Sequence, residues 1–257
     1  MISCVLIDLA GVVYVGDEQV PGADAALAKL SQAGLPVRFL TNTTRSPKQA
    51  ILARLERMGL AVAAEDVFTP VDAARAWLSR NRARPLLLVH PDLAGALAGF
   101  EDEPNEAVVI GDAGEAFDYR AMNAAFRALL GGAGLIALAE NRYFRDNDGE
   151  LSLDAGPFVD ALEFASGREA ILMGKPAPDF FAAALAQMGC AGADAVMIGD
   201  DVESDVSGAL TAGISKALLV RTGKYLAGIE ATADPPPTAV VDDLPAAVEW
   251  ILAARGR

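Results

Sequence analysis

The chain has 257 residues, of which 53% are hydrophobic and 22% are charged, and its formal net charge at pH 7 is −14. Its length is enough for one large domain or two smaller ones, and its composition excludes a disordered protein. Phosphate backbones repel a chain this acidic, so we expect no nucleic-acid partner.

Short apolar runs alternate with Ala-rich segments of helical spacing along the chain. We predict strands at residues 5–8, 37–42, 86–90, 107–110, 135–140, 170–173, 195–199, 217–221 and 239–241. We predict helices at residues 23–33, 47–58, 119–130 and 178–188, and a last helix after the final strand. Continuous apolar runs are typical of strands buried on both faces, and their alternation with helices indicates βαβ units. The prediction is therefore an α/β fold with a doubly wound parallel sheet.

The cysteine and histidine content bears on the compartment and on metal chemistry. Cys4 lies inside an apolar run and Cys190 follows a predicted helix, so we predict two free thiols and a reducing compartment. His90 is the only histidine in the sequence, which argues against zinc sites and histidine-dependent triads.

The first apolar run has no basic segment before it and ends at Asp8. We therefore interpret it as a strand and not as a signal peptide. No uncharged apolar stretch is long enough to span a bilayer. We expect a cytoplasmic protein without a membrane partner.

Polar residues stand where several predicted strands end. They are Asp8 after the first strand, Thr41 and Asn42 at the end of the second, Lys175 after the strand at 170–173, and Asp200, Asp201 and Asp205 after the strand at 195–199. In open α/β sheets, ligands bind beyond the carboxyl ends of the strands. We therefore expect these groups to meet at one edge of the sheet.

Together these groups predict phosphoryl transfer. The carboxylates of Asp8 and Asp200 are oxygen donors suited to Mg²⁺, and a backbone carbonyl near Gly11 adds to them. Thr41 offers a hydroxyl to phosphate oxygens, and Lys175 balances both phosphate and carboxylate charge. A carboxylate held ionised in this way attacks phosphorus as a nucleophile, which gives an aspartyl-phosphate.

The segments "VLIDLAGVVY", "VRFLTN", "MGKPAP" and "MIGDDVESD" resemble, in this order, the motifs of the haloacid dehalogenase (HAD) superfamily. The long interval between the second and third segments resembles the C2-type α/β cap of subclass IIA. The resemblance implies a HAD-like core at residues 1–81 and 171–257 and an inserted cap at residues 82–170. Within the subclass, "DAGEAFDYRAMNAAF", "NRYFRDNDGELSLDAGPFVDALEFA" and "LLVRTGKY" resemble the phospholysine phosphohistidine inorganic pyrophosphate phosphatases and HDHD-type hydrolases.

The resemblance also implies a role for each residue at the sheet edge. Asp8 is implied to be the nucleophile and a Mg²⁺ ligand, and Ala10 to bind Mg²⁺ through its backbone carbonyl. Thr41, helped by Asn42, is implied to bind the phosphoryl oxygens, and Lys175 to hold the nucleophile and the phosphoryl group. Among the acids, Asp200 is implied to be a metal ligand, Asp205 to act through a bound water, and Asp201 to share that role.

Ala10 departs from the family pattern, which has a second Asp at this position. That Asp protonates the leaving oxygen and then activates the water, which contributes about 10²–10⁴-fold. Alanine keeps the backbone carbonyl but supplies no proton. We therefore expect a small phosphorylated substrate whose leaving group needs no donated proton, such as pyrophosphate, an acyl phosphate or a phosphoramidate such as a phospho-amino acid.

Several alternatives accompany this interpretation. The missing acid is also compatible with a pseudo-enzyme that binds phosphorylated ligands without turnover. Phosphonoacetaldehyde hydrolases carry alanine here as well, but they use a cap lysine, and residues 81–170 contain no lysine. The acids in "GDAGEAFDY", Asp112, Glu115 and Asp118, are either surface residues or attract a cationic substrate. Capped relatives often pair through the cap, which makes a homodimer through it an expectation of the resemblance.

Overall fold

The computed structural model describes residues 2–145 and 150–255. The strands are β1 (Cys4–Asp8), β2 (Tyr14–Val15), β3 (Glu18–Gln19), β4 (Val37–Leu40), β5 (Val67–Phe68), β6 (Ala83–Leu88), β7 (Asn105–Ile110), β8 (Gly134–Ala137), β9 (Tyr143–Arg145), β10 (Leu151–Leu153), β11 (Ile171–Leu172), β12 (Ala195–Gly199), β13 (Lys216–Val220) and β14 (Ala239–Val241). The helices are α1 (Ala23–Gln32), α2 (Lys48–Arg57), α3 (Pro70–Asn81), α4 (Pro91–Ala94), α5 (Tyr119–Leu130), α6 (Gly156–Ser166), α7 (Pro178–Met188), α8 (Gly208–Thr211) and α9 (Leu244–Arg255). Among the described residues, no helix has both the length and the hydrophobicity of a membrane-spanning segment.

The chain divides into two compact units. The first comprises residues 1–41, 48–68 and 175–257, and the second comprises residues 42–47 and 69–174. Residues 42–47, α3 and residues 171–174 group with the second unit, whereas the sequence analysis assigns them to the core. Within that unit α3 contacts β6 and β7. Its Trp77 lies so close to β8 that a Cβ at Gly134 would be 3.1 Å from the indole ring.

The first unit contains a parallel sheet in the order β14-β13-β12-β1-β4-β5. All five residues of β1 are buried. Val5 and Ile7 belong to the same apolar cluster as Leu30 of α1 and Ile251 of α9. Because side chains alternate along a strand, the fully buried Leu6 faces the opposite side of the sheet. Both faces are therefore covered, and the predicted doubly wound parallel sheet is confirmed.

The strand order reverses at β1, which lies between β4 and β12. Ligand sites of open α/β sheets form at such a switch point, beyond the carboxyl ends of the strands. Asp8, Thr41 and Asp200 stand at these ends, as the sequence predicts.

The strand before Lys175 is not part of this sheet, contrary to the sequence prediction. Residues 171–172 form β11, which pairs with β8 in the second unit through Ile171↔Ile136 and Leu172↔Ala137. The apolar run alone does not distinguish one parallel sheet from another. Lys175 instead belongs to the first unit, in the turn that leads into α7.

The second unit has its own parallel sheet, in the order β11-β8-β7-β6. Helices α5 and α6 pack together, and their buried residues share an apolar cluster with β7 and β8. The rings of Phe117 and Phe158 stack within this unit at a centroid distance of 3.7 Å. Strands β9 and β10 form an antiparallel pair. Residues 146–149, which carry part of a segment quoted above for its family resemblance, lie outside the described residues.

The prediction of two free thiols is wrong. The structure joins Cys4 and Cys190 in a disulfide, with their Cα atoms 6.6 Å apart. Cys4 begins β1 and lies opposite Ala195, the first residue of β12. The chain that leaves α7 returns to this end of the sheet, which brings Cys190 beside Cys4. The inference of a reducing compartment rested on free thiols and therefore loses its basis.

Candidate active site

Asp8 and Lys175 form the centre of the site. Both side chains are buried, with Asp8 6% exposed at the end of β1 and Lys175 also 6% exposed. The Lys175 ammonium donates one hydrogen bond to Oδ1 of Asp8 and another, of 2.6 Å, to Oδ1 of Asp205. One buried cation thus bridges two buried carboxylates.

Asp8, Asp200 and Asp205 form a compact acidic cluster. One carboxylate oxygen from each lies within 4.8 Å of the others, and all of these side chains are buried. Asp205 lies on a short π-helical turn after β12, where its Oδ2 accepts a 3.2 Å hydrogen bond from the backbone N–H of Asp201. A Cβ at Gly199 would overlap Asp205. Glycine at the end of β12 therefore allows this carboxylate to come so near the sheet.

Burial and neighbouring charges shift the ionisation of these groups. Burial raises the pKa of Asp8 to about 7, with Lys175 lowering it and the nearby Asp205 and Asp200 raising it. Burial and then Asp205 raise the pKa of Asp200 to about 6, against the backbone N–H of Lys224, which lowers it. Burial lowers the pKa of Lys175, but Asp205 and Asp8 outweigh burial and raise it, so the ammonium stays charged. Further positive charge at this cluster would stabilise the ionised carboxylates.

Asp201 faces a different partner from Asp205. Its Oδ1 accepts hydrogen bonds from the backbone N–H groups of Glu203 (3.0 Å) and Ser204 (2.9 Å), which caps the π-helical turn. Its Oδ2 accepts a 2.8 Å hydrogen bond from the Lys224 ammonium. Burial would raise the pKa of Asp201, but Lys224 and the capping hydrogen bonds outweigh it and lower the pKa.

Residues 222–224 also contact the site, although the sequence analysis quoted them only within a family resemblance and gave them no role at the site. They follow β13, the neighbour of β12 in the sheet. The backbone N–H of Lys224 donates a 2.7 Å hydrogen bond to Oδ2 of Asp200, and the Thr222 hydroxyl donates to the carbonyl of Gly11. Their position directly after the predicted strand at 217–221 is a signal that could have placed them at this edge.

The remaining predicted residues are placed as follows. Ala10 is exposed, and the next residue, Gly11, donates its N–H to the carbonyl of Tyr14 at 2.7 Å. Thr41 is buried after β4, with its backbone N–H 3.3 Å from the carbonyl oxygen of Phe68. Asn42 groups with the second unit instead. Within that unit, a Cβ at Gly174 would lie 2.9 Å from its Oδ1.

The acids of "GDAGEAFDY" have separate structural surroundings within the second unit. Asp112 is buried and pairs with the guanidinium of Arg45, while its Oδ1 accepts a 3.0 Å hydrogen bond from Gly114. Asp118 caps α5 through a 2.7 Å hydrogen bond from the backbone N–H of Ala121. Glu115 is exposed. The Arg45 charge neutralises Asp112, so this geometry does not favour attraction of a cationic substrate by that residue.

The acidic cluster suits a divalent metal ion. Its donors are carboxylate oxygens, and hard cations such as Mg²⁺ and Ca²⁺ prefer oxygen ligands. Burial raises the pKa of both Asp8 and Asp200, and the positive charge of a metal ion beside them would favour their ionised forms.

Comparisons with known proteins identify the family of this chain. A family model for haloacid dehalogenase-like hydrolases matches residues 5–101, and a HAD-hydrolase-like model matches residues 172–247. Haloacid dehalogenase-like hydrolase domain-containing protein 2 of Rattus norvegicus is 43% identical over 252 residues, which covers 98% of this chain and 96% of the relative. Phospholysine phosphohistidine inorganic pyrophosphate phosphatase of Danio rerio is 39% identical over 257 residues, which covers 98% of this chain and 94% of the relative.

A solved structure is similar over most of the chain. It is glycerol phosphate phosphatase of Mycobacterium tuberculosis in complex with magnesium, which aligns with a TM-score of 0.81 and 30% identity over 95% of this chain and 76% of that one. The Danio rerio relative and the Mycobacterium tuberculosis structure are both named as phosphatases. The chain therefore belongs to the haloacid dehalogenase superfamily of hydrolases, in which it is a phosphatase.

Proposed function

We propose that this protein is a Mg²⁺-dependent phosphohydrolase that works through phosphorylated Asp8 and prefers substrates with good leaving groups. The observation that carries the proposal is the bridge from the buried Lys175 ammonium to Asp8 at the switch point, two residues before an alanine. The bridge keeps a nucleophile in place, and the alanine removes the side chain that would assist a poor leaving group.

Asp8 is the proposed nucleophile. One carboxylate oxygen forms a bond to phosphorus, the bond from phosphorus to the leaving group breaks, and the leaving group keeps the electron pair. Water then attacks phosphorus, and the bond from the Asp8 oxygen to phosphorus breaks with its electron pair on the carboxylate. The proton that the water loses goes to the released phosphate or to solvent. Lys175 holds Asp8 ionised during attack, and Thr41 with Asn42 is proposed to bind the phosphoryl oxygens.

Asp8, Asp200 and the backbone carbonyl of Ala10 are the proposed ligands of Mg²⁺. A bound Mg²⁺ would neutralise negative charge on the carboxylates and on the phosphoryl group. Asp205 is not among these proposed ligands. Its carboxylate forms a 2.6 Å ion pair with Lys175 and accepts a hydrogen bond from the backbone N–H of Asp201. We therefore propose that Asp205 orients Lys175. This role differs from the one that the family resemblance implies, in which Asp205 acts through a bound water.

Ala10 restricts the proposed substrates. A phosphoramidate takes up a proton on nitrogen from solvent and then leaves as a neutral amine, and pyrophosphate leaves as a phosphate anion, so neither needs a proton from the enzyme. An alkyl phosphate without such a proton releases a strongly basic alkoxide. The name of the Danio rerio relative refers to phospholysine, phosphohistidine and inorganic pyrophosphate, which are substrates of the first kind. The name of the Mycobacterium tuberculosis phosphatase refers to glycerol phosphate, an alkyl ester. The chemistry at Ala10 favours the first group for this chain.

A substrate comparison tests the proposal. Phosphate release is measured with pyrophosphate, phospholysine, phosphohistidine and glycerol 3-phosphate, each with Mg²⁺ or with EDTA. We expect kcat/KM for the first three to exceed that for glycerol 3-phosphate by about 10²-fold or more, because the missing acid contributes that much to an alkyl ester. EDTA should abolish release.

Two results would contradict the proposal. Glycerol 3-phosphate turned over as fast as pyrophosphate would remove the link between Ala10 and substrate choice. Binding of the panel without any release of phosphate would favour a ligand-binding pseudo-enzyme.

A further inference from the structure

The 222–224 loop connects two parts of the site that are far apart in sequence. It follows β13, and it contacts both the turn after β1 and the acid after β12. Each of its residues makes a different contact with these parts.

Thr222 holds the turn that contains Ala10. Its hydroxyl donates a hydrogen bond to the carbonyl oxygen of Gly11, 211 residues away in sequence. Because Gly11 follows Ala10 directly, this bond restrains the backbone whose Ala10 carbonyl is the proposed metal ligand. The hydroxyl thereby restrains where that carbonyl points.

Gly223 allows an approach that no larger residue permits. Its φ is +61°, and a Cβ there would overlap Oδ2 of Asp200 and the Cα of Gly11. Gly11 has a φ of +92°, and a Cβ there would overlap the same carboxylate. Asp200 is therefore enclosed between two glycines in the left-handed region, where side chains are disfavoured.

Lys224 contacts the two adjacent acids after β12 with different groups. Its backbone N–H donates to Oδ2 of Asp200 at 2.7 Å, and its ammonium donates to Oδ2 of Asp201 at 2.8 Å. The first bond fixes the rotation of the Asp200 carboxylate. The second bond ties the loop to the π-helical turn that carries Asp205.

We propose that Thr222, Gly223 and Lys224 are positioning residues that hold the Asp200 carboxylate and the Ala10–Gly11 backbone in the geometry that binds the metal ion. Groups that orient metal ligands affect affinity strongly, and their loss typically lowers it about 10–100-fold. The inference rests on the proposed Mg²⁺ site, but its test reads metal affinity directly.

The test compares Thr222→Val with two matched variants. Thr222→Val keeps the size of the side chain and removes the hydroxyl, while Thr222→Ser restores it. Thr232→Val is the control, because the Thr232 hydroxyl donates only a local 2.7 Å hydrogen bond to the carbonyl of Ile229 among the described contacts. Mg²⁺ dissociation constants are measured by calorimetry on the metal-free full-length proteins, together with their melting temperatures.

We expect Thr222→Val to raise the Mg²⁺ dissociation constant about 10-fold or more, with Thr222→Ser and Thr232→Val close to wild type. The Mg²⁺ concentration for half-maximal activity should rise in parallel, while kcat at saturating Mg²⁺ changes much less. A loop with only a structural role would lower the melting temperature without moving the dissociation constant.

Lys224→Met provides a second, independent variant, with Lys216→Met as its control because Lys216 lies within β13. Lys224→Met should also weaken Mg²⁺ binding, since it releases the loop from Asp201. Wild-type affinity in both folded variants, Thr222→Val and Lys224→Met, would overturn the proposal. Failure of the proposed function has a different signature, in which the wild-type protein binds Mg²⁺ and releases no phosphate, while the effect of each variant on affinity remains measurable.

Discussion

Replacing Asp8 with Asn is expected to lower Mg²⁺-dependent phosphate release by about 10⁴–10⁶-fold, the range seen when a covalent catalyst loses its nucleophile. Asparagine has the same shape but lacks the charged oxygen that attacks phosphorus. Steady-state release of phosphate from pyrophosphate, measured for the variant and the wild type, gives the ratio.

The folded structure should survive this change. Asp8 is buried, and burial raises its pKa to about 7, so the neutral asparagine avoids the cost of burying a charge while its Oδ1 can still accept the hydrogen bond from Lys175. Lys175 keeps its 2.6 Å bond to Asp205. Thermal melting should therefore show a folded variant. Asp24→Asn, on an exposed residue in the first turn of α1, is the control and should retain full activity. Substantial turnover by Asp8→Asn would rule out Asp8 as the nucleophile.

Replacing Ala10 with Asp is expected to raise kcat/KM for glycerol 3-phosphate by about 10²–10⁴-fold, because a carboxyl there can protonate the leaving alkoxide and then activate water. Ala10 is exposed, so a larger side chain has room. The backbone carbonyl is kept, so metal binding should be little changed. The gain in kcat/KM for pyrophosphate should be much smaller, because that leaving group departs without a donated proton, whereas kcat for pyrophosphate should rise because the new carboxyl activates the water that cleaves the aspartyl-phosphate.

Ala10→Asn is the matched control for this prediction. It has nearly the same volume as aspartate and can form hydrogen bonds, but it transfers no proton. Ala10→Asn should therefore behave like the wild type with both substrates. If Asp and Asn raised the activity equally, the gain would come from substrate binding and not from proton transfer.

The sequence predicts much of the fold because its signals are local. The buried runs of β1 and β12 and the spacing of α5 and α7 are each contained in a few residues, and the observed bounds of α5 and α7 equal the predicted ones. The rule that ligands bind beyond the carboxyl ends of parallel strands then brings Asp8, Thr41 and Asp200 to one edge without any tertiary information.

The sequence does not predict contacts that depend on tertiary packing. The apolar run at 170–173 looks like a core strand, but its pairing with β8 places it in the second unit. The disulfide between Cys4 and Cys190 joins residues 186 apart, and nothing in the local sequence around either cysteine predicts their approach. The hydrogen bond from Thr222 to Gly11 is equally non-local, so the loop appeared in the sequence only as part of a family resemblance.

The central claim is that Asp8 is phosphorylated although the acid at position 10 is missing. Because alanine cannot activate the water that cleaves an aspartyl-phosphate, this intermediate should accumulate during turnover of a substrate with a good leaving group. The direct measurement is the intact mass of the protein after rapid acid quenching with Mg²⁺ and pyrophosphate, where phosphorylation adds about 80 Da. We predict this adduct on the peptide that contains Asp8, and its absence in Asp8→Asn. Phosphate release by the wild type with no adduct at any quench time, or an adduct that persists in Asp8→Asn, would contradict the account.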